Sequence, residues 1–364
     1  MCFKAPFSLA MCLIVFGLQA QVPEYTRHIS RSFRVNNAIT VEISNKYGRV
    51  QIIPWDVDSV KFNIDLRIRA KDNQKLEKMK QSVDFDFTSG QYFQVARTLF
   101  GDSGSDVFKD IVDIAGAYLS TSNSVTINYT VMIPAYVSLK IENKFGDVFF
   151  DDYDGALNLT LSYGDLKANR LNGRTTIKLT SGDGEINYLK DGQIFISYAN
   201  MHISETPKLL AQTRSSVVTI DKSGTIKLDS RRDKLFLNEV GSLAGECYFS
   251  IINMGTLNKE LSLNSRYGDI TVDGIQRSFS LINLSSELTD LTLSFEKPML
   301  FDFELTHYQT VLFEYPKTYA KLSTQVINAE EKLSVTSGSF GSGTPDSRVV
   351  IKTPRKCNLT ISQK

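Results

Sequence analysis

The chain is poor in the residues that carry most enzyme chemistry. Its 364 residues include three histidines, four cysteines and one tryptophan. His28, His202 and His307 share no H-x-H or H-x-x-x-H spacing, so no histidine metal centre is legible. Cys2 and Cys12 stand close to the start of the chain, which leaves Cys247 and Cys357 for the rest of it. These lack C-x-x-C partners and lie 110 positions apart. They either form one disulfide or sit as two separately buried apolar side chains. Charge of one sign is also missing: 41 Lys and Arg stand against 40 Asp and Glu. With no basic stripe and no acidic tail, nucleic acid is not an expected partner. There is no G-x-S-x-G elbow and no P-loop, and Gly341-Ser342-Gly343 is a lone glycine pair in a linker. No cofactor is expected.

Residues 1–20 read as a signal peptide. Lys4 gives a positive start, Leu9 to Leu18 is apolar, and Leu18-Gln19-Ala20 ends on a small residue. The remainder, from Gln21 to Lys364, is ample for a large core. No later run approaches the roughly 18 apolar residues of a membrane span, so no transmembrane segment is expected in the mature chain.

What the chain has instead is a recurring phrase: an aromatic residue, glycine, usually an acid, then an aliphatic residue. It occurs at Tyr47-Gly48, Phe145-Gly146, Tyr163-Gly164 and Tyr267-Gly268, with a weaker copy at Ser181-Gly182. Position numbers rise by 18 from Phe145 to Tyr163 and again to Ser181, then by 17 to Tyr198 and again to Ser215. The span from Ser215 to Tyr267 makes three more such steps, and that from Tyr267 to Tyr308 makes two longer ones. Between phrases, apolar and polar residues alternate with period two, as in Leu157, Leu159 and Leu161. A fixed period near 18 filled with strand pattern is the signature of a solenoid.

The fold expected is therefore all-β: a right-handed single-stranded β-helix or solenoid behind a β-rich N-terminal capping region with one or two short helices. Asp72 to Gln81 is rich in helix formers. Val107, Ile111, Ile114 and Tyr118 make an amphipathic stripe that reads as a cap over the first coil. The expected divisions are residues 21–136 for the capping region, 137–335 for coils of about 17–21 residues, and 336–364 for a C-terminal loop and capping strands. About 200 residues in turns of about 18 would give about 11 coils, stacked about 4.8 Å apart. Tyr47, Gly48, Phe145, Gly146, Tyr163, Gly164, Gly182, Tyr267 and Gly268 are expected at structural turns. There the glycine would take the left-handed angle, the aromatics would stack between coils, and the acid would bond within its own turn.

Asp147, Asp151, Asp152 and Asp154 are the best metal candidates, since four carboxylates so close in sequence could hold calcium. They lack the third ligand and distal Glu of an EF-hand loop, and an exposed turn between two coils is the simpler explanation. Asp147, Asp165, Asp183 and Asp269 would form a ladder of carboxylates about 5 Å apart, near the spacing of a retaining glycosidase pair.

The segments Asn45-Lys46-Tyr47-Gly48-Arg49-Val50, Asn128-Tyr129-Thr130-Val131-Met132-Ile133-Pro134 and Leu139 to Val148, followed by Ser-Tyr-Gly-Asp coils, resemble the putative adhesin family of secreted bacterial domains. The resemblance covers most of residues 30–364 and implies a solenoid exposed in the cell envelope. It brings no catalytic residues. The pattern departs between Ser223 and Leu257, where the Gly-Asp phrase is missing and coil regularity is in doubt. The function expected is a non-catalytic binding or scaffolding role toward a glycan, matrix or envelope protein, in the periplasm or at the cell surface. The alternatives are a polysaccharide-active β-helix enzyme and an accessory in envelope sensing or assembly.

Overall fold

The computed structural model describes residues 22–101 and 123–364. The expected signal peptide and the stripe of Val107, Ile111, Ile114 and Tyr118 lie outside the described residues. The chain enters through β1 (Glu24–Arg34), β2 (Thr40–Lys46), β3 (Val50–Pro54) and β4 (Ser59–Arg69). Helix α1 (Asn73–Gln81) follows, then β5 (Val83–Ser89), β6 (Phe93–Phe100) and β7 (Ser124–Ile133). The helix begins where the Asp72 carboxylate accepts the Lys75 amide at 2.7 Å, satisfying an otherwise orphaned donor. It buries Leu76 and Met79, and its last turn carries Lys78 and Lys80, which suit the negative end of the dipole.

The body winds through β8 (Ser138–Lys144), β9 (Val148–Tyr153), β10 (Leu157–Ser162), β11 (Leu166–Thr180), β12 (Asp183–Ser197), β13 (Asn200–Arg214), β14 (Val217–Arg231), β15 (Lys234–Tyr248), β16 (Ile251–Ile275) and β17 (Leu281–Phe295). Each turn lays one run on each of two parallel sheets, so period-two alternation puts one apolar column inside each sheet. In one sheet Ile43, Ile141, Leu159, Ile177 and Ile194 stand in register, all buried. In the other, Ile52, Phe150, Ala168, Ile186, Ile203 and Ile220 do the same. The result is a β-solenoid of about nine turns. Ser223 to Leu257 is as regular as the rest: β14, β15 and β16 pair in parallel through that stretch, which corrects the doubt raised by its missing phrase.

The expectation of about 11 coils fails at the C-terminal end. There β18 (Phe301–Tyr308) and β19 (Leu312–Glu314) form a last turn, and β20 (Ala320–Asn328) and β21 (Leu333–Phe340) form a hairpin that runs antiparallel onto β18. Ser337 to Phe340 is strand rather than flexible loop. The final strands, β22 (Arg348–Thr353) and β23 (Asn358–Gln363), do not cover the end. They insert as a turn of their own between β17 and the β18–β19 turn. The N-terminal end is built the same way: the β2–β3 turn is held between β8–β9 and the later β6–β7 turn. Antiparallel β5, β4 and β1 lie outside it. The N-terminal edge of the parallel stack is thus covered by antiparallel strands on both sheets, and at the C-terminal end the β20–β21 hairpin covers β18.

Cys247 and Cys357 are free thiols, both buried. Cys247 pairs in register with Ser265, Ser265 with Ser286, and Cys357 hydrogen-bonds Ser286. Three rungs, roughly 14 Å, therefore separate them, too far for a disulfide. Burial pushes the Cys247 thiol up to about 12, with nearby Asp233 adding to it, and the Cys357 thiol up to about 11. Burial likewise raises Tyr129 and Tyr153, whose hydroxyls bond Thr98 and the Val137 carbonyl. These four groups keep their protons in the fold at pH values where an unfolded chain has lost them. Stability from them is whole below about pH 8.5 and falls as pH rises from there toward 12. We expect alkaline unfolding in that window, with both thiols silent to a maleimide in the native protein at pH 8 and both labelled in urea. Labelling of the native protein at the unfolded rate would contradict this burial.

Candidate functional site

The two sheets meet at an edge that runs the length of the solenoid. Once per turn a non-glycine residue there takes a left-handed angle, with φ between 52° and 67°: Tyr47, Phe145, Tyr163, Ser181, Tyr198, Ser215, Arg232, Phe249, Tyr267 and Leu288. The glycine of the phrase does not, which corrects the expectation. The glycine is there because the next coil passes too close for a side chain. A Cβ on Gly146 would lie 2.1 Å from the Gly48 carbonyl oxygen, on Gly164 2.2 Å from that of Gly146, and on Gly182 2.1 Å from that of Gly164. Gly48 and Gly268 are pressed in the same way against Ile127 and Ser250.

The acid completes this corner, and it bonds between turns rather than within its own. Asp147 Oδ1 accepts the Asp165 amide at 2.9 Å, and Asp165 Oδ1 accepts the Asp183 amide at 2.9 Å. Asp183 Oδ1 then accepts Asn200 Nδ2 at 2.8 Å. Where glycine gives way to a residue with a side chain, the backbone takes over: the Val217 amide donates to the Ala199 carbonyl, and Lys234 to Ser216. Asparagines two positions before the aromatic close the corner from inside, a role the sequence did not reveal. Asn143 Nδ2 donates to the carbonyls of Gly48 (3.0 Å) and Gly146 (2.7 Å), and Asn45 Nδ2 to those of Gly48 and Ile127.

The other acids disperse. Asp152 accepts Asn169 Nδ2 and Asp154 accepts Asn172 Nδ2, each one turn on, while Asp151 lines an open groove with Arg49, Lys167 and Glu185. Among the described residues no three His, Cys, Asp or Glu side chains converge as a metal set. His28 meets Asp65, His202 meets Asp221 and His307 meets Thr336, each across strands.

On the outside of the edge the rings form a broken ladder. Tyr47, Phe145 and Tyr163 stack with centroids 5.6 and 5.1 Å apart, and Phe249 stacks on Tyr267 at 4.7 Å. Lys46, Lys144 and Arg266 lean over these rings. The ladder is interrupted at Ser181 and again at Ser215 and Arg232. Tyr198, between these gaps, is 71% exposed. At the Ser215 level the edge opens into a groove of about 430 Å³, lined by Tyr198, Arg214, Arg231, Arg232, Tyr248 and Phe249.

No helix among the described residues is long and apolar enough to cross a membrane. Comparison with models of known families finds no match, and neither does comparison with curated proteins. Comparison with solved structures finds some that are similar. A putative adhesin from Parabacteroides distasonis is 11% identical, with 73% of this chain and 97% of that one covered and a TM-score of 0.37. A putative adhesin from Bacteroides fragilis is 10% identical, with 92% and 97% covered and a TM-score of 0.27. A putative cell adhesion protein from Clostridium sporogenes is 8% identical, with 93% and 100% covered and a TM-score of 0.18.

Proposed function

We propose that this chain is an exported, non-catalytic binding protein of adhesin type, whose working part is the outer wall of a stiff rod. One observation carries the reading: three carboxylates of the corner ladder, Asp147, Asp165 and Asp183, are engaged by the coils they join. Asp147 and Asp165 each hold the backbone amide of the following turn, and Asp183 holds Asn200. A carboxylate held as an acceptor by its own fold is poorly placed to act as an acid or nucleophile. What remains outside is a near-neutral surface of Thr, Ser, Asn and Lys broken by exposed rings and guanidinium groups, which suits recognition.

The test is binding without turnover. The purified protein should be retained on at least one of immobilised glycans, matrix protein or envelope extract, and should release no product from a glycan panel with or without calcium. Asp165→Asn keeps the Oδ1 acceptor and should leave binding intact. Turnover of a glycan that this variant abolishes, in a protein that still folds, would replace the binding reading with a polysaccharide-active enzyme. Protease shaving of intact cells reports the location: loss of the protein means outer surface, protection means periplasm.

A further inference from the structure

We propose that the gap in the ring ladder at Ser215 is a subsite for an acidic pyranose, a uronate unit of an acidic polysaccharide. The proposal rests on the binding-protein reading and gives it a ligand class.

Tyr198 occupies one level of the edge, Ser215 the next and Arg232 the one after. Levels are about 4.8 Å apart, so Tyr198 and Arg232 are separated by about 10 Å. Where the ladder is continuous the intervening level holds a ring, as Phe145 does between Tyr47 and Tyr163. At Ser215 it holds a hydroxymethyl group. The empty layer is one ring thick, and one of its walls is a tyrosine with most of its area in water. A flat, partly apolar ring covers that face at the expense of water alone.

The other walls fix the charge of the guest. Arg214 is on the Ser215 level, and Arg231 and Arg232 are on the next. Among the described residues no carboxylate lies within 4.0 Å of Arg214 or Arg232, while Arg231 is 3.7 Å from Asp229. The chain as a whole is balanced at 41 basic and 40 acidic residues. The groove's lining thus holds three arginines and no carboxylate; of the acids behind it, Asp229 is beside Arg231, Asp233 is buried in bonds to Thr213, Ser216 and Ser230, and Glu246 accepts from the Tyr248 hydroxyl. A guanidinium fork takes a carboxylate with two parallel bonds and stacks as well. A ring with a carboxylate on its rim satisfies the tyrosine face and the forks together. The groove is shallow and open along the rod, so it fits one unit of a chain that continues over the neighbouring turns, where Phe249 is 56% exposed.

The experiment uses the full exported chain with polygalacturonate, its fully methyl-esterified form and free galacturonate as probes. Polygalacturonate should bind, with affinity falling steeply from 50 to 300 mM salt, and the esterified polymer at least tenfold more weakly. Free galacturonate should compete only at far higher concentration. Arg214→Ala with Arg232→Ala, or Tyr198→Ala, should each lower affinity at least tenfold. Lys321→Ala, on the far hairpin, should change nothing. The decisive variant is Ser215→Tyr, which fills the empty level with a residue this edge already carries in the same backbone state. It should keep the thermal midpoint of the wild type or raise it, and lose the polymer. Equal binding by Ser215→Tyr and wild type would overturn the site. If wild type ignores acidic polymers but holds another matrix or glycan, this subsite falls and the binding-protein reading stands. If it holds nothing, both fall.

Discussion

Gly164→Ala is expected to cost about 3 kcal/mol or more, the upper range for forcing atoms into a filled space. The new methyl carbon would lie 2.2 Å from the Gly146 carbonyl oxygen and 2.6 Å from its carbon. Neither partner is a flexible side-chain tip; both are backbone in the middle of a parallel stack. Relief would require parting the two turns, which breaks the Asp147 bond to the Asp165 amide between them. It would also part Phe145 from Tyr163. In a solenoid each turn is stabilised by its neighbours, so one opened interface divides the array. The urea transition should move to lower concentration and broaden, with the turns on either side unfolding apart. Gly101→Ala is the control: nothing lies within 4 Å of its added Cβ, and its stability should stay within about 0.5 kcal/mol of wild type. A single, unshifted transition for Gly164→Ala would show that the corner glycines are not held by close approach.

The sequence made the solenoid legible because two independent signals share one period. Each turn needs a left-handed residue at the same edge, and each strand run alternates as a half-buried strand must. The period therefore reads through even where the phrase is lost. At Arg232-Asp233 neither glycine nor aromatic is present, yet the left-handed residue falls one regular step after Ser215. The interleaved ends were not legible. Leu359 and Ile361 alternate with polar neighbours just as the coil residues do, and alternation says which side a residue faces, not which strand it joins. The groove was invisible for a related reason. Tyr198, Arg214 and Arg232 are remote in sequence and meet only because successive turns bring the same edge position round again. The corner acids were visible, but not their direction. Sequence suggests an aspartate bonding inside its own turn, whereas parallel stacking offers it an unpaired amide in the next one.

Asp233→Ala is expected to destabilise the middle of the rod by about 3 kcal/mol, because it leaves buried donors without an acceptor. Asp233 stands where glycine stands in other turns and is 2% exposed. Its Oδ2 accepts the Thr213 hydroxyl at 2.6 Å, the Ser230 hydroxyl at 2.7 Å and the Arg231 amide at 2.8 Å; its Oδ1 accepts the Ser216 amide at 2.8 Å. Four donors, two from the neighbouring turn and two from its own corner, thus converge on one carboxylate, which does for this stretch what glycine and the corner aspartates do in the others. A buried charge so fully bonded is tolerable, whereas its removal strands amides that cannot rotate toward water. The amide variant should separate the two roles. Asp233→Asn keeps one acceptor oxygen for the Ser216 amide, and the Thr213 and Ser230 hydroxyls can turn to accept from its NH2 group, but the Arg231 amide then faces that group unpaired, so about 2 kcal/mol is expected. Thr213→Val should cost little in the Asp233→Ala background, since the hydroxyl it removes is by then unpaired, and more in the wild type. Urea midpoints of these variants at constant slope decide the matter. If Asp233→Ala and Asp233→Asn unfold together, within about 0.5 kcal/mol of wild type, the carboxylate does not organise this part of the solenoid.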